Sequence, residues 1–376
     1  MADSRVETLA RVLVEHSVRV QPGDRILIEG EAEASPLIRA VFEGILKAGG
    51  HPHLLLSLEG VEATHSGFDT SFIRLAGDEQ IDFTPTFLKL AYETFEGRIR
   101  IHSSSNTMAL TNAKSERLAR RRRALQAILS VQFQRGSTGE FKWVTTLYPT
   151  QAYAMDAEMS LEDYEDFVYK ACHVDGRTSD PMAYWRGVEA DQRRVVDAFA
   201  GHAMLAVRGP SCDLSLSIRD RVFVNSFGVH NMPDGEVFTG PVEESVNGWV
   251  RFSYPAAYQN RQVREVELTF KDGRVVEAKA SKNEAFLLEM LETDAGARYL
   301  GEFAIGMNPG ITRHTGNILF DEKIGGTIHM ALGAGYPDTG SKNKSAIHWD
   351  MVCDMQHGGE ISLDGDVVYS GGAFVI

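Results

Sequence analysis

The stretch Arg25–Leu56, RILIEGEAEASPLIRAVFEGILKAGGHPHLLL, sets the fold class of the N-terminal half. A short apolar strand, Arg25–Ile28, comes first. A helix follows that is predicted to start at Ser35-Pro36, because Ser is a favoured N-cap and Pro suits the first helical position. Gly49-Gly50 ends this helix, and His53–Leu56 forms a second strand. Strand, helix and strand with short connections predict a parallel pair with a right-handed crossover, so we expect an α/β domain with a parallel sheet.

The pattern changes in the second half of the chain. Helices are predicted at the N-terminus, opened by a capping box at Ser4 and Glu7, from Ser160 to about Cys172, and through Arg186–Phe199. Beyond residue 201 short, β-branched or alternating segments dominate, separated by Gly, Pro or Asp, as in 203–208, 213–218, 221–227, 249–253, 263–271 and 274–280. We expect an N-terminal α/β domain over residues 1–197 and a strand-rich α+β domain over residues 198–376.

Composition narrows the class of protein. A chain of 376 residues with 43% hydrophobic and 24% charged residues has the make-up of a globular protein of two domains. Its net charge of −14 argues against nucleic acid or an anionic membrane surface as a partner. Three well-separated cysteines fit a reducing compartment, and the N-terminus lacks a signal peptide pattern. These features predict a cytoplasmic protein.

Several common functional motifs are absent from the sequence. No G-x-G-x-x-G follows the first strand and no P-loop motif occurs, so a nucleotide cofactor is not expected. H-E-x-x-H, Cys/His zinc spacings and G-x-S-x-G are also missing. The basic run Arg120–Arg123 is best explained as the solvated face of a helix, given the acidic balance of the chain.

The richest stretch for chemistry is Asp321–Asp350, DEKIGGTIHMALGAGYPDTGSKNKSAIHWD. His348 and Asp350 are two residues apart in a strand-like segment and would point to the same face. An imidazole beside a carboxylate suits Zn²⁺, Mn²⁺ or Co²⁺. Further ligand-type side chains next to turn glycines or on strands are Glu236, Glu302 and His329. With a bridging carboxylate, such a set would suffice for two metal ions.

Each of these residues also has a simpler interpretation. A lone Glu beside glycines is usually a solvated turn residue, and a lone His in an apolar strand is often a hydrogen-bonded core residue. His-x-Asp on a strand can be a structural pair. The residues alone therefore predict a metal site and leave its reaction open.

Four ordered blocks carry a family resemblance: NMPDGEVFTGPVEESVNG, LGEFAIGMNPGI, ILFDEKIGGTIHMALGAGYPDTGSKN and SAIHWDMVCDM. Together they resemble the aminopeptidase T/aminopeptidase S family of metallopeptidases over residues 225–376, and more loosely over the N-terminal half. The resemblance implies five metal ligands and a catalytic tyrosine, namely Glu236, Glu302, His329, His348, Asp350 and Tyr336. Ser341 departs from it, because a second glycine is expected before Lys342.

The family resemblance implies a homodimeric, metal-dependent aminopeptidase that removes N-terminal residues from short peptides, with two divalent ions (Zn, Co, Mg or Mn) held by residues 198–376, the expected catalytic, metal-binding domain. Such ions activate a water and polarise the scissile carbonyl, while a tyrosine can donate to the oxyanion. Glu302 is expected to be the bridging carboxylate. Asp321 and Glu322 could act as base or support, although a salt-bridged surface role is the simpler expectation; Lys323 and Lys342 could meet substrate, although solvated lysines are commoner. Two alternatives stay open, a different hydrolase of small amides or esters and a catalytically silent scaffold.

Overall fold

The structure, a computed structural model, describes residues 3–59, 66–258 and 261–376. The chain divides into two compact units. Unit one comprises Met1–Trp185 and Gly228–Pro233, and unit two comprises Arg186–Phe227 and Asp234–Ile376. The division at residues 185/186 lies within helix Pro181–Phe199. The boundary at residue 198 that the sequence suggested stays a prediction.

Unit one contains a five-stranded parallel sheet in the order β2-β1-β3-β4-β8. Its strands are β1 (Arg25–Glu31), β2 (His51–Ser57), β3 (Gly97–His102), β4 (Lys142–Leu147) and β8 (Asn231–Met232). The predicted parallel pairing of the first two strands is confirmed, with Arg25 opposite His51 and Glu31 opposite Ser57. Inner strand β1 is buried along most of its length, as expected for a parallel sheet covered on both faces.

Helices of unit one connect these strands. They are α1 (Ser4–Arg11), continued by a π-helical turn (Val12–Ser17), α2 (Ser35–Lys47), α3 (Asp69–Leu75), α4 (Asp78–Asp82), α5 (Thr86–Thr94), α6 (Ser115–Ser137), α7 (Gln151–Asp156) and α8 (Leu161–Ala171), with α9 (Pro181–Phe199) beginning at its end. The predicted cap at Ser160 is confirmed, since its side chain accepts from Asp163 N.

Two predicted helix starts are wrong by one residue. Asp3, not Ser4, caps α1, because its carboxylate accepts from Arg5 N. Ser35 lies inside α2, which a 3-10 turn over Ala32–Ala34 precedes. That turn supplies the helix entry, so a hydroxyl cap at Ser35 is not needed.

Unit two is built from antiparallel sheets. An eight-stranded sheet has the order β14-β13-β10-β6-β5-β18-β19-β20, a five-stranded sheet the order β17-β16-β15-β9-β7, and β11 and β12 form a pair. The strands are β5 (Met204–Gly209), β6 (Cys212–Ser217), β7 (Val224–Ser226), β9 (Glu236–Thr239), β10 (Asn247–Arg251), β11 (Ala256–Tyr258), β12 (Arg261–Val263), β13 (Glu267–Lys271), β14 (Arg274–Lys279), β15 (Leu300–Gly306), β16 (Thr327–Gly333), β17 (His348–Asp354), β18 (Glu360–Leu363), β19 (Asp366–Ser370) and β20 (Ala373–Phe374). Two short helices are α10 (Glu284–Leu291) and α11 (Ile318–Asp321).

The five-stranded sheet of unit two has one apolar face. Ile328, Met330 and Leu332 of β16 alternate with its polar and small residues and belong to a buried cluster that also includes Phe303, Trp349 and residues of the eight-stranded sheet. Because side chains alternate across a strand, the opposite face is left for other residues. The sheet therefore packs into the core on one side and presents its other side to the candidate site.

The state of the cysteines and the hydropathy of the helices both bear on the environment of the protein. The three cysteines are buried, and none forms a disulfide within the described residues. No helix in the described part of the chain is long and apolar enough to cross a membrane.

Candidate metal centre

Strand register brings the five predicted ligands onto one face of the five-stranded sheet. Ala331 of β16 lies opposite both Glu302 of β15 and Asp350 of β17. His329, two residues before Ala331, shares its face, as does His348, two residues before Asp350. Gly306, on the same face of β15, lies opposite Glu236 of β9. Four neighbouring strands thus contribute to one polar surface.

Small residues occupy the positions between these ligands. Gly333 lies opposite His348, and Ala304 lies opposite His329. A Cβ atom at Gly306 would come within 2.3 Å of the Ile324 carbonyl oxygen, so that position is closed to any larger residue. The acidic side chains and the imidazoles therefore project from a sheet face whose other positions are mostly glycine and alanine.

Both histidines are oriented by hydrogen bonds to backbone carbonyls. His329 Nδ1 lies 2.8 Å from Glu322 O, and His348 Nδ1 lies 2.7 Å from Ala334 O. A carbonyl only accepts, so Nδ1 must donate in each case. Each Nε2 is thereby turned toward the carboxylates. This is the arrangement that fixes the tautomer of metal-binding histidines.

Glu302 lies between the two histidines. Its Oε1 is 3.5 Å from His329 Nε2 and its Oε2 is 3.3 Å from His348 Nε2. Glu236 Oε2 is 3.6 Å from His329 Nε2, and Asp350 Oδ1 is 3.4 Å from His348 Nε2. One carboxylate thus faces both imidazoles, with a further carboxylate beside each.

The donor atoms fit a divalent cation. Candidate ligand atoms of Glu302, His348 and Asp350 lie within 4.8 Å of one another, as do those of Glu322, His329 and Asp350. Glu236 Oε2 and Asp350 Oδ1 are two of the buried side-chain atoms that have no hydrogen-bond partner within the described residues. Buried carboxylate oxygens without partners are costly, and a cation in contact with them removes that cost. Oxygen and imidazole donors suit several divalent metals.

The electrostatics of the centre are those of a cation site. Burial alone would raise the pKa of Glu302, yet the hydrogen-bonding contacts with His329 and His348 hold it below its ordinary value. Burial also opposes ionisation of Asp350, but the His348 imidazole lowers the pKa of Asp350 to about 2. At Glu236 burial prevails and raises the pKa, against the attraction of Lys323. The carboxylates thus depend on nearby positive charge, which bound metal ions would supply.

Tyr336 lies beside this polar face. Its ring makes an edge contact with His348 at a centroid distance of 5.2 Å and a tilted contact with Phe238 at 5.4 Å. The residue is 39% exposed. Desolvation by the surrounding chain raises the pKa of its hydroxyl, so the phenol remains protonated and is available as a donor.

The run Asp321–Lys323 corrects one expectation. The surface role expected for Asp321 and Glu322 is wrong, because Asp321 is buried and the Glu322 side chain is only 16% exposed. Asp321 accepts from Thr315 N and Oγ1 and lies 3.1 Å from His314 Nε2. Lys323, expected to be solvated, is fully buried. Lys342 is exposed, as a solvated lysine would be.

Two features of this centre escaped sequence reasoning. Lys323 Nζ lies 3.7 Å from Glu236 Oε1 and contacts Glu322 Oε1. Glu322 joins His329 and Asp350 in one of the candidate cation groups. The available signal was three consecutive charges between the apolar residues Leu319-Phe320 and Ile324.

Comparison with known proteins places this geometry in context. Residues 2–374 match the thermophilic metalloprotease family M29. Aminopeptidase 2 from Geobacillus stearothermophilus is 25% identical over 402 residues, which cover 96% of this chain and 94% of the relative. Aminopeptidase T from Thermus thermophilus is 25% identical over 398 residues, with the same two coverages of 96% and 94%.

Solved structures share the fold. Wild-type AmpT from Thermus thermophilus is similar with a TM-score of 0.82 and 22% identity, covering 99% of both chains. The 2,5-dihydroxypyridine dioxygenase from Pseudomonas putida KT2440 is similar with a TM-score of 0.58 and 13% identity, covering 100% of this chain and 98% of that chain. A fold that includes a dioxygenase does not by itself select a reaction, so the reaction depends on the residues of the site.

Proposed function

The chain belongs to the thermophilic metalloprotease family M29, and we propose that it is a metal-dependent aminopeptidase that removes N-terminal residues from short peptides. The observation that carries the proposal is the single sheet face on which two imidazoles, each aimed by a backbone carbonyl, meet buried carboxylates. A face of this kind supports hydrolysis by an activated water.

We assign two divalent ions to this face. Glu302 is proposed as the bridging ligand, because its two oxygens face different histidines. His348 and Asp350 would complete one ion's ligands, and His329 and Glu236 those of the other. Zn²⁺, Co²⁺, Mn²⁺ and Mg²⁺ are all candidates, since carboxylate and imidazole donors accept several metals.

The reaction follows from the donor set and Tyr336. Ions bound here would acidify a water and polarise the scissile carbonyl. Tyr336, protonated and in contact with His348, is proposed to donate its hydroxyl hydrogen to the oxyanion as charge develops. A carboxylate must take the proton of the water and return it to the leaving amine. We assign that proton transfer to the cluster of carboxylates that includes Glu302.

The test is hydrolysis of unblocked di- to pentapeptides by protein supplied with each metal in turn. Release of free amino acids is expected from unblocked peptides and not from N-acetylated ones. Inactivity with every metal, or equal cleavage of blocked peptides, would refute the proposal. Activity on non-peptide amides or esters alone would point to the different hydrolase, and less than one ion per chain by metal analysis would point to the silent scaffold.

Two variants separate metal binding from turnover. His348→Ala removes a ligand and is expected to lose metal and activity together. Tyr336→Phe keeps the ring and its packing and is expected to retain metal while kcat falls by about 10²–10³-fold, the usual cost of one oxyanion donor. A fully active Tyr336→Phe enzyme would remove Tyr336 from the mechanism.

We also propose that the protein works as a cytoplasmic homodimer. Unit one exposes large apolar side chains on β2 and on helices α3, α5 and α6, among them Leu75 at 72% and Phe87 at 59% exposure. Exposed apolar surface of this extent is typical of association sites. Light scattering should give a dimer for the wild type and a monomer for Leu75→Glu/Phe87→Glu. Met155→Glu, on α7 and 68% exposed, is the matched control and should remain dimeric.

A further inference from the structure

Tyr336 lies in a connection that leaves the sheet after β16. We call residues 334–342 the tyrosine loop. Its base is fixed to the segment before β17 by Ala334 N donating to Ile347 O at 2.8 Å and by Gly335 N donating to Asn343 O at 3.1 Å. A 3-10 turn, Pro337–Thr339, follows the tyrosine. Thr339 Oγ1 donates to Tyr336 O at 2.6 Å, so the turn is tied directly to the tyrosine backbone.

A carboxylate holds the far end of the tyrosine loop. Glu243 Oε1 accepts from Lys342 N at 2.6 Å, and its Oε2 accepts from an Arg221 guanidinium nitrogen at 2.7 Å. The Arg221 and Glu243 side chains are 6% and 16% exposed, so this ion pair is largely shielded from water. Charge-assisted hydrogen bonds of this length in a shielded place are strong. The chain next to Arg221 adds a further bond, from Val222 N to Thr339 O at 3.0 Å.

Two glycines pack closely against Ser341 of the tyrosine loop. A Cβ atom at Gly240 would come within 2.5 Å of Ser341 Cβ and 2.9 Å of Thr339 Oγ1. One at Gly335 would lie 2.0 Å from Ser341 Oγ. Ser341, the residue that departs from the family pattern, is thus buried between these glycines, with its hydroxyl 3.4 Å from Glu243 Oε1. Ser341 therefore packs against Gly240 and Gly335 with no room for a Cβ atom at either glycine.

We propose that Glu243, held by Arg221, is a positioning residue that fixes the tyrosine loop and thereby aims Tyr336 at the metal centre. The proposal rests on the catalytic role proposed for Tyr336. The Tyr336 side chain is 39% exposed and has ring contacts with Phe238 and His348, so its own packing holds it on one side. The direction of its hydroxyl depends on the backbone on either side of it. Glu243 itself follows seven residues after Glu236, so one segment serves both the ligand and the loop.

The experiment compares Glu243→Ala with Glu244→Ala, the adjacent and exposed glutamate, as the matched control. We expect Glu243→Ala to lower kcat by roughly 10–100-fold, as a displacement of about 1 Å at a reacting group does, with the control unchanged. KM should stay within about two-fold, because the lost interaction acts in the transition state. Metal content should equal that of the wild type. Arg221→Lys, which keeps the charge, should lose less activity than Arg221→Ala.

A double-mutant cycle with Tyr336→Phe tests whether Glu243 acts through the tyrosine. In the Tyr336→Phe background, Glu243→Ala should change kcat by less than about three-fold, because the donor it positions is already gone. Fully additive effects, an unchanged kcat in Glu243→Ala, or metal loss parallel to activity loss would each overturn the proposal.

A readout that does not need activity accompanies the kinetics. Lys342 and Lys344 are exposed trypsin sites at the end of the loop. Glu243→Ala should accelerate cleavage there while Glu244→Ala leaves it unchanged, since cleavage requires local opening. Unchanged cleavage in Glu243→Ala would refute the clamp. A wild-type protein that cleaves no peptide would instead refute the proposed function, and the trypsin result would still decide whether Glu243 orders the loop.

Discussion

Replacing Lys323 by methionine should destabilise the protein without ions more than the protein with ions. Lys323 is fully buried, 3.7 Å from Glu236 Oε1 and in contact with Glu322 Oε1. Its ammonium group supplies positive charge to both of these carboxylates. Methionine retains most of the apolar length and flexibility of the lysine stem, so the change removes charge with little loss of packing.

The magnitude follows from the cost of breaking a buried ion pair. Removing one partner leaves uncompensated buried charge and costs about 3–5 kcal/mol. That cost should appear in full when chelator keeps the centre free of ions. With divalent ions bound to the same carboxylates, the compensating charge is present without Lys323. The destabilisation should then fall below about 2 kcal/mol, and by linkage the variant should bind metal more tightly.

Chemical denaturation measures both quantities. The free energy of unfolding is compared for wild type and Lys323→Met, once with chelator and once with saturating metal. Lys342→Met, at an exposed lysine, is the control and should differ from wild type by less than about 0.5 kcal/mol in both conditions. An equal loss of stability with and without metal would refute the reasoning, because it would mean that Lys323 serves packing and not the charge of the centre.

Two further outcomes are expected. Chelation should lower the melting temperature by roughly 5–10 °C, because ions at a hundred times their dissociation constant contribute about 2.7 kcal/mol per site; calorimetry showing no shift would argue against a metal centre. In unit one, the hydrogen bond from Arg25 lowers the pKa of Glu96 to about 2 from its ordinary value of 4.5. Glu96 therefore stabilises the fold above pH 4.5 and progressively less as the pH falls toward 2. The difference in unfolding free energy between wild type and Glu96→Gln should be constant near neutral pH and shrink below about pH 4.5; a constant difference down to pH 3 would contradict this.

The parts of the fold that local patterns encode were predictable. The pairing of β1 with β2 follows from a strand, helix and strand in short succession. The turn at Asp272-Gly273 joins β13 and β14 with both residues at positive φ, as a tight hairpin requires. The resemblance to aminopeptidases T and S is confirmed by the M29 family match. These features depend on neighbours in sequence, so one sequence suffices to find them.

The environment of charged residues could not be predicted in the same way. Asp321, Glu322 and Lys323 are three consecutive charges, a pattern typical of a solvated turn, yet all three are shielded from water. Asp321 is bound by His314, seven residues earlier, whereas Lys323 lies beside Glu236, from a strand far away in sequence. Arg121 of the basic run Arg120–Arg123 is another charged residue whose environment the sequence did not predict. It is buried against the Phe83 carbonyl and the Phe72 ring and not solvated as predicted.

Register explains why the sequence suggested which residues form the centre but not how they meet. His348 and Asp350 share a face by strand alternation alone. Glu302 reaches that face because β15 is irregular between Leu300 and Glu302, which sets Glu302 opposite Ala331. Gly301 lies at this irregularity, and a glycine inside a strand pattern suggests a bulge without fixing the register that results. A one-residue slip would turn Glu302 into the apolar core, where an unpaired carboxylate is strongly disfavoured, so burial of the opposite face itself selects the register.

The small residues of the site carry as much information as its ligands. Along β16 the polar face reads Thr327, His329, Ala331 and Gly333, and along β15 it reads Glu302, Ala304 and Gly306. His329 and Glu302 are candidate ligands, and the alanine and glycine that follow each of them are too small to fill the space above the sheet. Large side chains there would occupy the volume that ions and substrate need, whereas the apolar faces of the same strands carry Ile, Met, Leu and Phe. In such a strand, one face carries large apolar residues, and the other carries a candidate ligand followed by alanine and glycine. This pattern is therefore a stronger sign of a metal-binding sheet than any single histidine or glutamate within it.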